Sequence, residues 1–130
     1  LEKPAFSFGN ETRATGIYSF AEGTLTLASG ENAHAKGGNT VASALNSSAE
    51  GNYTTAWGTA SHAEGFMAET YGGSSHAEGD STRSYGYASH AEGNSGQSIG
   101  PASHVEGSHG KAYGTASHVE GDFNIATDLA

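Results

Sequence analysis

Small and polar residues alternate in a pentapeptide that recurs along the chain. In the copy Ser61-His62-Ala63-Glu64-Gly65, the first, third and fifth residues are small and the second and fourth are polar. Because successive side chains of a strand point to opposite faces, this alternation predicts a β-strand with one small face and one polar face. A narrow coil has room only for the small face, so we expect histidine and glutamate to point outward.

The pentapeptide marks a 14-residue repeat that has no insertion or deletion. Its copies, five close to Ser-His-Ala-Glu-Gly and four more divergent, begin at Ala5, Ser19, Ala33, Ser47, Ser61, Ser75, Ser89, Ser103 and Ser117. Nine units therefore span residues 5–130, and we predict that residues 1–4 form an N-terminal lead-in. This arrangement leaves no room for a second domain.

Small residues also mark the second half of each unit. The tenth position is always Ala, Ser or Thr, and the twelfth is Gly in seven units. Frequent glycine opposes helix, and 14 residues are too few for a two-helix repeat. The pattern predicts an all-β fold in which two short strands and two glycine turns form each rung of a parallel β-roll, or β-solenoid. A disordered chain, the alternative, would have no reason to keep these residues in fixed phase.

The first units carry phenylalanine where later units carry histidine or glutamate. Phe6 and Phe8 occupy both slots in the first unit, and Phe20 occupies the histidine slot in the second. Phenylalanine in these slots indicates an enclosed environment, which one coil cannot provide for its own outer face. A parallel homotrimer, with three such strands facing a threefold axis, is the simplest symmetric solution.

These residues resemble a known family. The 14-residue unit is similar to the head repeat of trimeric autotransporter adhesins, the YadA-like head, which carries Ser-Val-Ala-Ile-Gly where this chain has Ser-His-Ala-Glu-Gly. The resemblance covers residues 5–130 and implies a left-handed parallel β-roll in a tight trimer. The histidine variant resembles repeats in tail fibre proteins of phages and prophages and in surface proteins of Gram-positive bacteria.

In such a trimer, every rung would bring three histidines and three glutamates towards the axis. We expect each histidine to hydrogen-bond to a glutamate, between chains, because a buried carboxylate without a partner is costly. The residues of this predicted network are His62, Glu64, His76, Glu78, His90, Glu92, His104, Glu106, His118 and Glu120. Burial would lower a histidine pKa and a glutamate partner would raise it, so the direction of the shift stays open.

The same histidines suggest a second, metal-binding interpretation. Three histidines on a threefold axis can bind zinc or another transition metal, which makes His62, His76, His90, His104 and His118 weaker candidates for metal ligands. A simpler interpretation is that the polar network fixes the register and the oligomeric state of the chains. We therefore expect no cofactor and no resident metal.

The eleventh position predicts a second row of side chains. It holds Trp57, Tyr71, Tyr85, Ile99 and Tyr113 in five consecutive units. Such a row can stiffen the roll by packing between rungs. Alternatively, Trp57, Tyr71, Tyr85 and Tyr113 form a surface that stacks on sugars or binds a protein receptor.

Composition and charge narrow the functional classes. Leu, Ile, Val and Phe contribute only 16 of the 130 residues, which excludes a conventional core. A net charge of −9 argues against nucleic acid and anionic membrane surfaces, and no apolar run is long enough to span a bilayer. The absence of cysteine from the sequence excludes thiol chemistry, and no HExxH, P-loop or nucleophile-elbow motif indicates an enzyme.

The sequence therefore predicts a non-enzymatic, extracellular fibre segment. We expect it to project and present a binding site for a cell-surface glycan or protein receptor, within a virion tail fibre or on a bacterial surface. A structural spacer without a ligand and a metal-binding trimeric stalk are the alternatives.

Overall fold

A computed structural model of the chain describes residues 4–127 and contains 18 strands, two in each of nine rungs. The long strands are β1 (Phe6–Asn10), β3 (Phe20–Thr24), β5 (His34–Gly38), β7 (Ser48–Asn52), β9 (His62–Phe66), β11 (His76–Asp80), β13 (His90–Asn94), β15 (His104–Ser108) and β17 (His118–Asp122). The short strands are β2 (Arg13–Ala14), β4 (Leu27–Ala28), β6 (Val41–Ala42), β8 (Thr55–Ala56), β10 (Glu69–Thr70), β12 (Arg83–Ser84), β14 (Gln97–Ser98), β16 (Lys111–Ala112) and β18 (Ile125–Ala126). Within this part of the chain, no helix is long and apolar enough to cross a membrane.

The strands form two parallel sheets of nine strands each. The long-strand sheet runs in the order β1-β3-β5-β7-β9-β11-β13-β15-β17, and the short-strand sheet follows the same progression along the chain. Each strand residue pairs with the residue 14 positions away in the next rung, as His76 pairs with His90 and Thr70 with Ser84. The predicted all-β parallel solenoid with one 14-residue unit per rung is thus confirmed. Of the predicted lead-in, Pro4 alone is described, and residues 128–130 of the repeat region lie outside the described residues.

Small side chains fill the interior between the two sheets. Ala63 and Ser61 of the long-strand side are almost completely buried, and so is Thr70 of the short-strand side. His62 and Glu64 lie on the outer face, as the alternation predicts. Two parallel sheets this close together leave no space for larger residues, which is why so few large apolar residues suffice for this chain.

The buried serine that begins most units closes the corner before each long strand. The Ser61 hydroxyl donates a hydrogen bond of 2.6 Å to the carbonyl oxygen of Gly58, and Ser103 donates one of 2.6 Å to Gly100. The same carbonyl oxygens also accept a 3.2 Å hydrogen bond from the serine backbone N–H, so the hydroxyl gives the corner carbonyl a second donor. The serine is therefore both a small interior residue and a part of the turn.

The turns differ from the sequence prediction. The pentapeptide glycine, such as Gly79, lies inside a long strand, and the second glycine, such as Gly72, lies at one corner without a left-handed φ. The left-handed residues at the two corners are mostly not glycine, as Met67 (φ 55°) and Ala88 (φ 53°) illustrate. The prediction of two glycine turns was wrong because close stacking of rungs, and not turning alone, requires most of the glycines.

Two interior rows compensate each other in volume near the C-terminal end. Val105 and Val119 replace the inward alanine of earlier rungs, and Gly96 and Gly110 replace the buried threonine that faces it. A Cβ placed on Gly96 would lie 2.9 Å from Val105 Cγ1, and a Cβ on Gly110 would lie 2.9 Å from Cγ1 of both valines. The larger residue thus occupies the space that the smaller one leaves.

Candidate functional site

The outer face of the long-strand sheet carries the ten residues of the predicted polar network. Parallel pairing in a 14-residue register aligns them in two neighbouring columns. The histidine row comprises His62, His76, His90, His104 and His118, and the glutamate row comprises Glu64, Glu78, Glu92, Glu106 and Glu120. In the single chain both rows lie at the surface, with about 35% of the His90 side chain and 46% of the Glu92 side chain exposed.

The imidazole rings of the histidine row stack on one another. Ring centroids are 4.7 Å apart between His76 and His90 and 4.8 Å apart between His90 and His104, with interplanar angles of 16° and 4°. At the N-terminal end of the row, His62 meets His76 edge to face, and at the other end His118 is tilted by 47° relative to His104. The centre of the row is therefore an ordered stack of three nearly parallel rings.

Three of the histidines lie close to the glutamate of their own strand. The distance from histidine Nε2 to glutamate Oε2 is 3.3 Å for His62 and Glu64, 3.9 Å for His76 and Glu78, and 3.8 Å for His90 and Glu92. Only the first of these distances is a hydrogen bond. The hydrogen bonds between chains that the sequence analysis anticipates stay a prediction.

Stacking covers the histidine nitrogens without giving them partners. The Nε2 atoms of His76, His90 and His104 are buried, and none has a hydrogen-bond partner among residues 4–127. Desolvation, followed by the neighbouring imidazoles, lowers the pKa of His76 and His104 below 6.5, and the nearby glutamates oppose this shift more weakly. These two rings are therefore neutral at pH 7, and each keeps a lone pair that a ligand could use.

Phenylalanine extends the histidine row to the N-terminal end of the roll. Phe6 stacks on Phe20 at 5.4 Å, and Phe20 meets His34 edge to face at 5.1 Å. Phe6 and Phe8 are 57% and 67% exposed in the single chain. The enclosure that their presence suggests is thus not provided by this chain itself.

The eleventh-position residues form a row at the surface beside the short-strand sheet. Trp57, Tyr71, Tyr85 and Tyr113 are each about half exposed. Tyr71 and Tyr85 stack at 4.8 Å with an interplanar angle of 7°, so their facing ring surfaces are occupied by each other. Packing between rungs is thus confirmed for this pair, whereas binding by the row stays a prediction.

An ion pair that the sequence analysis missed anchors the aromatic row. Arg83 Nε donates a 2.7 Å hydrogen bond to Glu69 Oε2, which also accepts a 3.0 Å hydrogen bond from the Tyr71 hydroxyl. Desolvation and the bond to Glu69 raise the pKa of Tyr71, and the carboxylate raises the pKa of Arg83. The signal in the sequence that could have predicted this ion pair is that Glu69 and Arg83 carry opposite charges and lie one repeat apart.

A second missed feature is an apolar cluster at the corner between the long and short strands. Tyr53, Phe66 and Met67 are all exposed by more than 40%, and the Tyr53 and Phe66 rings meet edge to face at 6.2 Å. These residues occupy the sixth and seventh positions of consecutive units. Their apolar character at a corner position could have been read from the repeat alignment.

Comparison with known proteins does not extend this description. No protein-family model matches the chain, and no curated protein matches it significantly. Function must therefore be inferred from the geometry of the outer faces.

Proposed function

We propose that the chain is a non-enzymatic segment of a parallel, homotrimeric, extracellular fibre that presents a binding site to a cell surface. The observation that carries the proposal is the outer face of the long-strand sheet, where one histidine column and one glutamate column run without interruption through the last five rungs. A regular face of this kind is suited to pairing with copies of itself, because each of these five rungs then makes the same contact.

The phenylalanine end of this face supports assembly. Phe6 and Phe8 expose more than half of their surface to water in one chain, at the same sheet positions that histidine and glutamate occupy elsewhere. Three chains around one axis would remove these rings from water, at about 25 cal/mol per Å² of apolar area buried. Contact between the phenylalanine ends of the three chains would also fix the register in which the rungs of one chain face those of the next.

The histidine and glutamate rows support the same arrangement. The central rows leave imidazole nitrogens without partners and glutamates that are about half exposed. In a trimer, a histidine of one chain can donate to a glutamate of the next, which satisfies both groups and prevents repulsion between the carboxylates. The resemblance to YadA-like heads adds the expectations of a left-handed roll and of a place in a virion tail fibre or on a bacterial surface.

Light scattering coupled to size-exclusion chromatography tests the assembly. We expect a mass of about 39 kDa, three times the 13.1 kDa of one chain. The variant His76→Glu adds a like charge to the glutamate-bearing face and should shift the mass towards that of one chain. Gln97→Glu adds the same charge to the short-strand sheet and should leave the mass unchanged, whereas a wild-type mass near 13 kDa would overturn the proposal.

Binding to a cell surface needs a separate measurement, because one observation on the aromatic row favours the alternative, a structural spacer without a ligand. The facing surfaces of Tyr71 and Tyr85 cover each other, and the Tyr71 hydroxyl is already bonded to Glu69, so less of this row is free for a ligand. Purified wild-type trimer should bind host cells or envelope extract, and the variant Tyr71→Ala/Tyr85→Ala should bind at least several-fold less. A trimer that binds neither cells nor extract would instead be a structural spacer.

A further inference from the structure

The centre of the histidine row brings two imidazoles and a carboxylate from adjacent rungs together. His90 and Glu92 belong to β13 and His104 to β15, and one possible ligand atom of each lies within 4.8 Å of the other two. This cluster is formed within one chain. It differs from the ring of three equivalent histidines that the threefold axis would create.

We propose that His90, Glu92 and His104 bind one divalent transition-metal ion per chain, with Zn²⁺ as the reference ion. Imidazole nitrogen and carboxylate oxygen are ordinary zinc ligands, at about 2.0–2.2 Å from the metal. A tetrahedral site with such bonds separates its ligand atoms by about 3.3–3.6 Å. The distance between His90 Nε2 and Glu92 Oε2, 3.8 Å, is already close to this value.

The second histidine needs only a side-chain adjustment. The rings of His90 and His104 are nearly parallel and 4.8 Å apart, so one of them must tilt for both nitrogens to reach the same ion. All three side chains are partly exposed on the outer face, where rotation does not disturb the alanine interior. The paired strands hold the backbone of both rungs in place, so the adjustment is confined to side-chain torsions.

The nitrogens of this cluster are suitable for a metal. Nε2 of both His90 and His104 is shielded from water and has no hydrogen-bond partner in the described chain. At these two histidines, a metal ion on Nε2 would take the place of a hydrogen bond from the ring to a glutamate of the next chain.

Among the described residues of the two rows, only His90, Glu92 and His104 bring three possible ligand atoms within 4.8 Å of one another. At His34 the neighbouring rungs supply Phe20 and Ser48, and the adjacent column supplies Lys36. At His62 the ring already hydrogen-bonds to Glu64, and it meets His76 edge to face. His34 is therefore a matched control, since it lies in the same column without a second imidazole beside it.

Isothermal titration calorimetry of the chelator-treated chain with ZnCl₂ and NiCl₂ tests the site. We expect saturable binding of one ion per chain, and no saturable binding of CaCl₂, because a hard cation does not use imidazole. His90→Gln/His104→Gln should weaken zinc binding by at least tenfold, Glu92→Gln should weaken it less, and His34→Gln should leave it unchanged. Circular dichroism checks that each variant keeps its β structure.

Nitrogen-15 NMR of the wild-type imidazoles gives a test without variants. Zinc should change the nitrogen-15 chemical shift of one ring nitrogen strongly in His90 and in His104. The chemical shifts of the ring nitrogens of His34 and His109 should change little. No saturable zinc binding, equal weakening by His34→Gln, or NMR shifts spread over all histidines would overturn the site. The mass of the assembly, measured in chelator, does not depend on zinc binding. A monomer that binds zinc would overturn the fibre proposal alone, and a trimer that does not bind zinc would overturn the metal site alone.

Discussion

At the residue scale, the rungs stack so closely that glycine is required by its neighbours along the roll. A Cβ on Gly79 would overlap the carbonyl oxygen of Gly93, and the residue has a left-handed φ of 115°. Gly72 meets the same obstacle at Gly86 although its φ is ordinary. The sequence shows that glycine recurs at these positions, but the reason for it depends on the backbone of the next rung and cannot be read from local turn preferences.

Substitution of such a glycine should therefore be far more costly than substitution of a glycine whose Cβ would make only ordinary van der Waals contacts. We expect Gly79→Ala to lower the free energy of unfolding by at least about 3 kcal/mol, because both the overlap and the left-handed backbone oppose a side chain. Gly73→Ala, whose Cβ would find its nearest neighbour at 3.4 Å, is the control and should change it by less than about 0.5 kcal/mol. Urea unfolding of both variants makes the comparison, and equal effects would contradict the stacking explanation.

The pairing of Gly96 with Val105 predicts an energetic coupling between two interior positions. Gly96→Ala should destabilise the chain by about 1–3 kcal/mol, because its new methyl group would lie 2.9 Å from Val105 Cγ1. Val105→Ala removes the Cγ1 methyl group of the valine. The double variant should therefore lower the free energy of unfolding by less than the sum of the two single variants, with a difference of at least about 0.5 kcal/mol. A double-mutant cycle measured by denaturant unfolding tests this coupling, and simple additivity would show that the two residues do not share space.

At the scale of the element, each long strand is fixed by its alternation and each row by the register between strands. The prediction that Ala63 faces inward and His62 outward is correct because a strand in a narrow roll has only one small face to bury. The alignment of the histidines was also predictable from the sequence, since a constant period of 14 residues puts equivalent positions side by side. The sequence did not show that the rings stack with their Nε2 atoms covered, because ring orientation depends on packing within the row.

The histidine stack predicts a pH dependence whose sign follows from the lowered pKa of His76. Its ring faces Glu78 on its own strand, His62 and Glu64 on one neighbouring strand, and His90 and Glu92 on the other. Burial and the adjacent imidazoles lower the folded-state pKa below 6.5, so below that pH the unfolded chain binds more protons than the folded chain. In chelator-containing buffer, the stability present above pH 6.5 should therefore decline as the pH falls towards the folded-state pKa.

Thermal unfolding at pH 7.5 and pH 5.5 measures this effect. We expect Tm to drop by a few degrees on acidification in the wild type, and by less in His76→Gln, which keeps the size of the side chain but does not titrate. A higher Tm at pH 5.5 would mean that the glutamate row stabilises protonated histidine more than burial and the neighbouring rings disfavour it.

At the scale of the whole molecule, the uniform register makes the rung the unit of construction. All pairings in both sheets join residues 14 positions apart, so each rung contacts only the rungs before and after it. This architecture could be predicted from the period alone, since only a stacked structure needs a constant phase. Handedness and assembly could not, because the period is the same in a left-handed and a right-handed coil, and in one chain or three.

Deletion of one complete rung should consequently leave a shorter roll of the same kind. Removal of residues 75–88 joins Ser74 to Ser89, so that every remaining side chain meets a partner of its own repeat position, as His62 would meet His90. We expect this variant to keep its β circular dichroism and to lose only a few degrees in Tm, the loss of one stacking interface among eight. Removal of residues 75–81 is the control, because it places a short strand where a long one must pair and should abolish cooperative unfolding. If the 14-residue deletion were as disruptive as the seven-residue one, stability would depend on particular rungs and the repeat would not be the structural unit.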